Sequence, residues 1–130
     1  MSGPLFLAAA EVMSLHADQA SRFGGESGVR EPALLESALA APASGLAGEY
    51  FHSNPFAMAA AYLFHLAKNH PFVDGNKRTG LAAALAFLEL NGWRLDCDPD
   101  ELADLVVAIA GGDGDKAGAE DFFRRHAKEL

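Results

Sequence analysis

Two alanine-rich apolar runs, at about 55–69 and 76–91, constrain this chain more than any other feature. The first places Phe56, Met58, Tyr62, Leu63, Phe64 and Leu66 among five alanines. The second places Leu81, Leu85, Phe87, Leu88 and Leu90 among further alanines. A helix that is apolar nearly all round has no face to give to water, so it belongs at the centre of a bundle. Both runs are too short to cross a bilayer, which argues against a membrane partner.

The remaining segments read as helices that cover those two. Residues about 7–22 carry Leu7, Val12, Leu15 and Ala20 at helical spacing and stop at Gly24-Gly25. Pro32 suits a first helical position, and Leu34, Leu35, Ala38 and Leu39 form a stripe that ends at Pro42. Residues 43–53 show no clear period and read as a surface loop or short hairpin whose aromatics, Tyr50 and Phe51, are placed to line a cleft. Ser53 or Asn54 starts the first central helix. Gly92 suits the position after the second, and Trp93 to Cys97 reads as a short strand or extended link. Asp98-Pro99-Asp100-Glu101 starts a helix to about Ala110, Gly111 to Gly114 is a turn, and a last helix is expected over about 117–129. Its Glu120/Arg124 and Asp121/Arg125 pairs have i,i+4 spacing. The expectation is all-α: one domain, 1–130, of five to six helices around the two apolar ones, with at most a short strand or hairpin.

Charge narrows the function classes. The net charge is −8, and a binder of duplex nucleic acid needs a positive surface. Direct nucleic-acid contact is therefore not expected, and a partner with a basic patch is. Cys97 is the single cysteine, which excludes an internal disulfide and suits a reducing compartment. With no basic-then-apolar leader at the start, the cytoplasm is the expected location.

Chemistry concentrates between the two apolar runs, in His70-Pro71-Phe72-Val73-Asp74-Gly75-Asn76-Lys77-Arg78-Thr79. A helix N-terminus leaves backbone N–H groups unpaired and carries a partial positive charge, so it binds anions. Gly75 removes the Cβ that would block close approach. Lys77 and Arg78 add a mobile and a forked cation. Asp74 is placed to hold Mg²⁺ against phosphate oxygens, and His70, a residue type that titrates near neutrality, to act as a base. A second arrangement satisfies the same residues: His70 and Asp74 cap their helices, and the cations face water or Asp74. Cations in a first turn oppose the helix dipole, so two of them there call for an anion, whether ligand or Asp74.

Other candidates have simpler explanations. His16, His52, His65 and His126 are scattered, and His65 in an apolar helix reads as a hydrogen-bonded core residue. Asp96, Asp98 and Asp100 read as caps and solvated groups. Gly111 to Asp115 lacks the ligands of a calcium loop. Cys97 has no neighbouring base.

The decapeptide from His70 to Thr79 closely resembles the signature of the Fic/Doc superfamily, and within it the death-on-curing (Doc) toxin branch. Leu15-His16, Ser21-Arg22-Phe23-Gly24-Gly25, Gly28, Leu35-Glu36-Ser37-Ala38-Leu39 and Phe87-Leu88 before Asn91-Gly92 resemble that branch too. The resemblance runs from about residue 8 onward. It implies a Fic-fold enzyme with His70 as the base that takes a proton from a protein hydroxyl. Asp74 would hold Mg²⁺, and Gly75, Asn76, Lys77 and Arg78 would bind the phosphates of ATP or another NTP. Lys77 and Arg78 join His70 in the catalytic set, Phe72 anchors the loop, and residues 43–53 occupy the place of a flap that aligns the target.

Two positions favour phosphoryl over AMP transfer. The AMP-transferring pattern has glycine where this chain has Lys77, and a second arginine where it has Leu81. The Doc branch shares both departures and binds the nucleotide reversed, with the γ-phosphoryl group facing the hydroxyl. The family's target is elongation factor Tu, so inhibition of translation is implied. AMP transfer is the alternative. Ser27 to Glu31 is the only Ser/Thr-x-x-x-Glu and is followed by Pro32, so it fails the family's internal inhibitory pattern. An antitoxin acting in trans is the implied partner.

Overall fold

Asn54 and Pro55 begin the first central helix, and they do so for separable reasons. The Asn54 side chain accepts a hydrogen bond from the Ala57 N–H at 2.9 Å, while proline fills a position whose N–H has no helical partner. The computed structural model describes residues 3–130. Its helices are α1 (Ala9–Phe23), α2 (Pro32–Ala40), α3 (Pro55–Asn69), α4 (Asn76–Leu90), α5 (Pro99–Gly111) and α6 (Lys116–His126). The fold is all-α apart from two small antiparallel pairs, β1 (Gly45–Leu46) with β2 (Glu49–Tyr50), and β3 (Trp93–Leu95) with β4 (Ala127–Glu129). No helix among the described residues is long and apolar enough to cross a membrane.

The two alanine-rich runs are the centre. Along α3, every residue from Ala57 to Leu63 is buried, and α2, α4, α5 and α6 all pack on it. The alanines let these neighbours approach closely. Gly80 does the same on α4, since a Cβ there would lie 3.1 Å from the Leu63 carbonyl oxygen. Tyr62 is fully buried, and its hydroxyl accepts the Leu7 N–H at 2.9 Å, which ties the segment before α1 across the core.

Side-chain caps start α5 and α6. Asp98 accepts from the Asp100 N–H and Asp115 from the Gly118 N–H, each at 2.8 Å. Gly112 closes α5 in the left-handed region, at φ +90°. Asp98, Asp115 and Gly112 are thus occupied as helix caps. Cys97 is half-buried, and burial followed by the charges of Glu101, Asp96 and Asp98 pushes its thiol up, away from the reactive thiolate.

The last helix is shorter than its periodicity suggests. It stops at His126, and Ala127 turns extended (φ −76°, ψ 140°). Residues 127–129 then pair with β3, Trp93 opposite Glu129 and Leu95 opposite Ala127. Three residues in a helix would satisfy only themselves, whereas as a strand they also satisfy the backbone of β3. The expected ion pairs within α6 form, at 2.6 Å for Glu120–Arg124 and 2.9 Å for Asp121–Arg125.

His65 is half-buried and faces a partner that the sequence did not suggest. Lys116 Nζ lies 3.1 Å from His65 Nε2 and 3.3 Å from His52 Nε2. An ammonium only donates, so both imidazoles offer lone pairs and are neutral. Burial, then the Lys116 charge, pushes the His65 pKa down to about 4, and the same two causes lower that of His52. Histidine in the unfolded chain titrates near 6.5. Between those values the unfolded state binds more protons, so stability is complete above about pH 6.5 and declines as pH falls towards 4. Because these side chains are partly solvated, the expected loss is on the order of 1 kcal/mol. Denaturant midpoints across that range check it, and in Lys116→Met the His65 titration followed by NMR should move up. An unmoved midpoint would exclude the ammonium as a cause.

Candidate active site

The loop between α3 and α4 is held in shape by residues 28–31, by α1 and by bonds within itself. His70 ends α3 as its C-cap in the left-handed region, φ +50°, which costs a residue with a Cβ roughly 1–2 kcal/mol. Arg30 stabilises that turn. Its Nε donates to the His70 carbonyl at 2.8 Å and its Nη2 to the Asn69 carbonyl at 3.3 Å, filling acceptors that a helix C-terminus leaves open. The backbone of residues 28–31 runs beside the loop. The Arg30 and Glu31 N–H groups donate to the Pro71 carbonyl, and Val73 N–H donates to Gly28, at 2.7, 3.1 and 3.1 Å. The Ser27 to Glu31 segment is thus occupied in bracing the loop.

Phe72 is 1 % exposed and lies flat against the ring of His16 on α1, with centroids 3.9 Å apart. His16 Nε2 is 2.7 Å from the Asp74 carbonyl oxygen; a carbonyl only accepts, so that nitrogen carries the proton. Gly25 closes the other side, at φ +103°, where a Cβ would come 2.6 Å from Asp74 Oδ2. The backbone angle calls for glycine there, and a Cβ would also push the Asp74 carboxylate aside.

α4 then starts at Gly75, φ +77°, without a side-chain cap. Asp74 Oδ1 accepts the Gly75 N–H at 2.8 Å. The N–H groups of Asn76, Lys77 and Arg78 occupy the first turn, where a helix offers them no partner. Lys77 and Arg78 are exposed. Among the described residues the ion pairs are those of Arg22, Arg124 and Arg125, so neither loop cation is neutralised by a carboxylate. The alternative in which Asp74 pairs with them does not form.

Asn76 sits differently from its neighbours. It is buried, with Oδ1 accepting the Phe72 N–H at 2.9 Å and Nδ2 donating to the Phe72 carbonyl at 3.0 Å. Nδ2 also lies 3.4 Å from His70 Nδ1, the outer edge of bonding distance, where it steadies the ring's orientation without fixing its tautomer. The Asn76 side chain therefore shapes the loop, and only its backbone N–H is free towards an anion.

A cleft of about 610 Å³ opens over this turn, lined on one side by His70, Asp74, Gly75, Asn76, Lys77 and Arg78. Its other wall is apolar: Leu81 of α4 with Ala103, Val106 and Val107 of α5. All the site residues expected from the sequence converge on it. The aromatics of residues 43–53 do not. The hairpin stands elsewhere, with Leu46 and Phe51 exposed and Tyr50 edge-on to Phe6. Among the described residues no group of three or more His, Cys, Asp or Glu is placed to cage a metal. Asp74 alone suits an ion that keeps its waters and shares phosphate oxygens, the habit of Mg²⁺.

Arg30, Gly25 and Phe23, whose ring lies 5.0 Å beneath the Arg78 guanidinium, support the loop without belonging to it. His16 and Phe23, seven residues apart, share one face of α1, and that spacing is the signal that marks them.

Comparison with known proteins agrees with this geometry. The Fic/DOC family model matches residues 6–88. The chain is 45% identical over 95 residues to the "Toxin Doc" of Mycolicibacterium smegmatis (strain ATCC 700084 / mc(2)155), covering 72% of this chain and 73% of that protein. It is 37% identical over 115 residues to the "Protein kinase doc" of Escherichia phage P1, covering 88% and 90%. With the family's loop, the helices that carry it and these two relatives in agreement, the chain belongs to the Fic/Doc family, on its Doc branch.

Proposed function

We propose that this chain is a Doc-like toxin that transfers the γ-phosphoryl group of ATP or another NTP to a hydroxyl of a target protein. By family resemblance that target is elongation factor Tu, and the consequence is arrested translation. The single observation that carries the reading is one cleft holding two unpaired cations, three free first-turn N–H groups, a carboxylate and an imidazole. The names of the two relatives, a toxin and a protein kinase, point the same way.

In this reading His70 takes the proton as the target oxygen bonds to the γ-phosphorus. The bond to the bridging oxygen breaks and the nucleoside diphosphate leaves. Lys77, Arg78 and the N–H groups at the start of α4 balance the charge on the phosphoryl oxygens. Asp74 would hold Mg²⁺, which would supply positive charge to offset that of the phosphates. Asn76 contributes by keeping the loop and His70 in place. An antitoxin in trans supplies the inhibition.

Leu81 favours phosphoryl over AMP transfer. It forms part of the apolar cleft wall, where a second arginine would have held the terminal phosphate. Incubation with γ-labelled and α-labelled ATP separates the two, with a mass gain of about 80 Da on the target for phosphate and about 329 Da for AMP. We expect the γ label alone, and α-label transfer would replace this reading with AMP transfer. Lys77→Gly is expected to reduce phosphoryl transfer about tenfold or more, since it removes a cation from the charge-stabilising set; an unchanged rate and product would remove Lys77 from the argument.

A further inference from the structure

We propose that Phe23 is a positioning residue for Arg78, presenting the guanidinium to phosphate with its donors free. The inference rests on the phosphate-binding reading of the loop and adds a residue outside the motif to it. Phe23 is the last residue of α1 and is 59% exposed, so its ring contributes little to the core. Gly24, at φ +80°, turns the chain away and leaves that ring on the surface. The Arg78 guanidinium carbon lies 5.0 Å from the ring centroid, within the range of a cation–π contact.

The choice of partner matters chemically. A carboxylate would hold Arg78 through its N–H groups and cancel its charge, and an incoming phosphate would have to displace it. An aromatic face holds the flat side of the guanidinium, leaves the five donors on its edge unspent and preserves the charge. Glu26 lines the same narrow crevice beside Arg78, yet makes no ion pair with it. Among the described residues the guanidinium has no hydrogen-bond acceptor either, so Phe23 is the contact that orients it. His16 on the same face of α1 fixes the Asp74 carbonyl, so one helix sets both the carboxylate-bearing turn and the cation.

The test uses the full chain, with MgATP and tripolyphosphate as probes in calorimetry. Phe23→Leu keeps apolar bulk but removes the π face, and should weaken binding about two- to fivefold. Phe23→Trp should restore or exceed wild-type affinity. In an Arg78→Ala background, Phe23→Leu should have no further effect, whereas a merely structural role would persist there. Independently of nucleotide, the Arg78 Nε–H resonance should show a ring-current shift that Phe23→Leu abolishes. An unshifted resonance, or equal binding by wild type and Phe23→Leu, overturns the inference while leaving the phosphate site intact. Failure of wild type to bind either probe, with the ring-current shift present, instead overturns the phosphate reading.

Discussion

His70→Ala is expected to lower target phosphorylation by about 10²–10⁴-fold, the usual worth of a positioned general base. The fold should survive, because His70 is exposed and its carbonyl, which Arg30 binds, remains in place. MgATP binding should change far less than turnover, since the cations and N–H groups proposed to hold phosphate belong to α4. Turnover is measured by label transfer to the target, and integrity by the thermal midpoint. A variant that phosphorylates at the wild-type rate would remove His70 from the base role. One that merely unfolds would show a collapsed midpoint, and His70→Gln then repeats the test with a more conservative side chain.

Phe72→Ala should have the largest effect on stability, costing about 3–5 kcal/mol. Domains of this size are stable by only about 5–15 kcal/mol in all, so the variant loses a large share of its margin. The ring does two jobs. It fills the core beneath the loop and it supports the face of His16, whose Nε2 holds the Asp74 carbonyl. Activity should therefore fall even at temperatures where the variant remains folded. Denaturant midpoints give the first quantity and label transfer below the midpoint the second. A cost under about 1 kcal/mol would mean that the loop collapses onto the cavity and that Phe72 is no anchor.

The central architecture was legible because composition alone forces it. Helices as apolar as α3 and α4 have one place to go, and Asn54, Pro55 and Asp98 mark starts by chemistry that needs no tertiary context. The motif loop was legible for a similar reason, since a histidine, a carboxylate and two cations at a helix start have few uses. The support beneath it was legible only in part. Phe72 and the segments that hold His16, Phe23 and Gly25 stand out in the family resemblance, but their contacts with the loop do not, and no local pattern says that Arg30 will cap a helix some 40 positions further on. Asn76 illustrates the limit at closer range. The decapeptide places it correctly in the chain, but whether its amide faces a ligand or its own loop is decided by backbone angles at residues 70 and 75. The end of α6 was lost to a pairing with β3 about 34 residues upstream, a competition that helical periodicity does not register.

The strand-like embrace between residues 28–31 and the active loop has an entropic consequence. Each fixed backbone residue represents roughly 1–2 kcal/mol of conformational freedom already surrendered during folding. Under the proposed function, a nucleotide arriving at this turn would meet backbone that is already ordered, leaving side chains such as exposed Lys77 to be fixed on binding. Amide hydrogens of Arg30, Glu31 and Val73 should accordingly exchange slowly, and at similar rates, before and after the nucleotide is added.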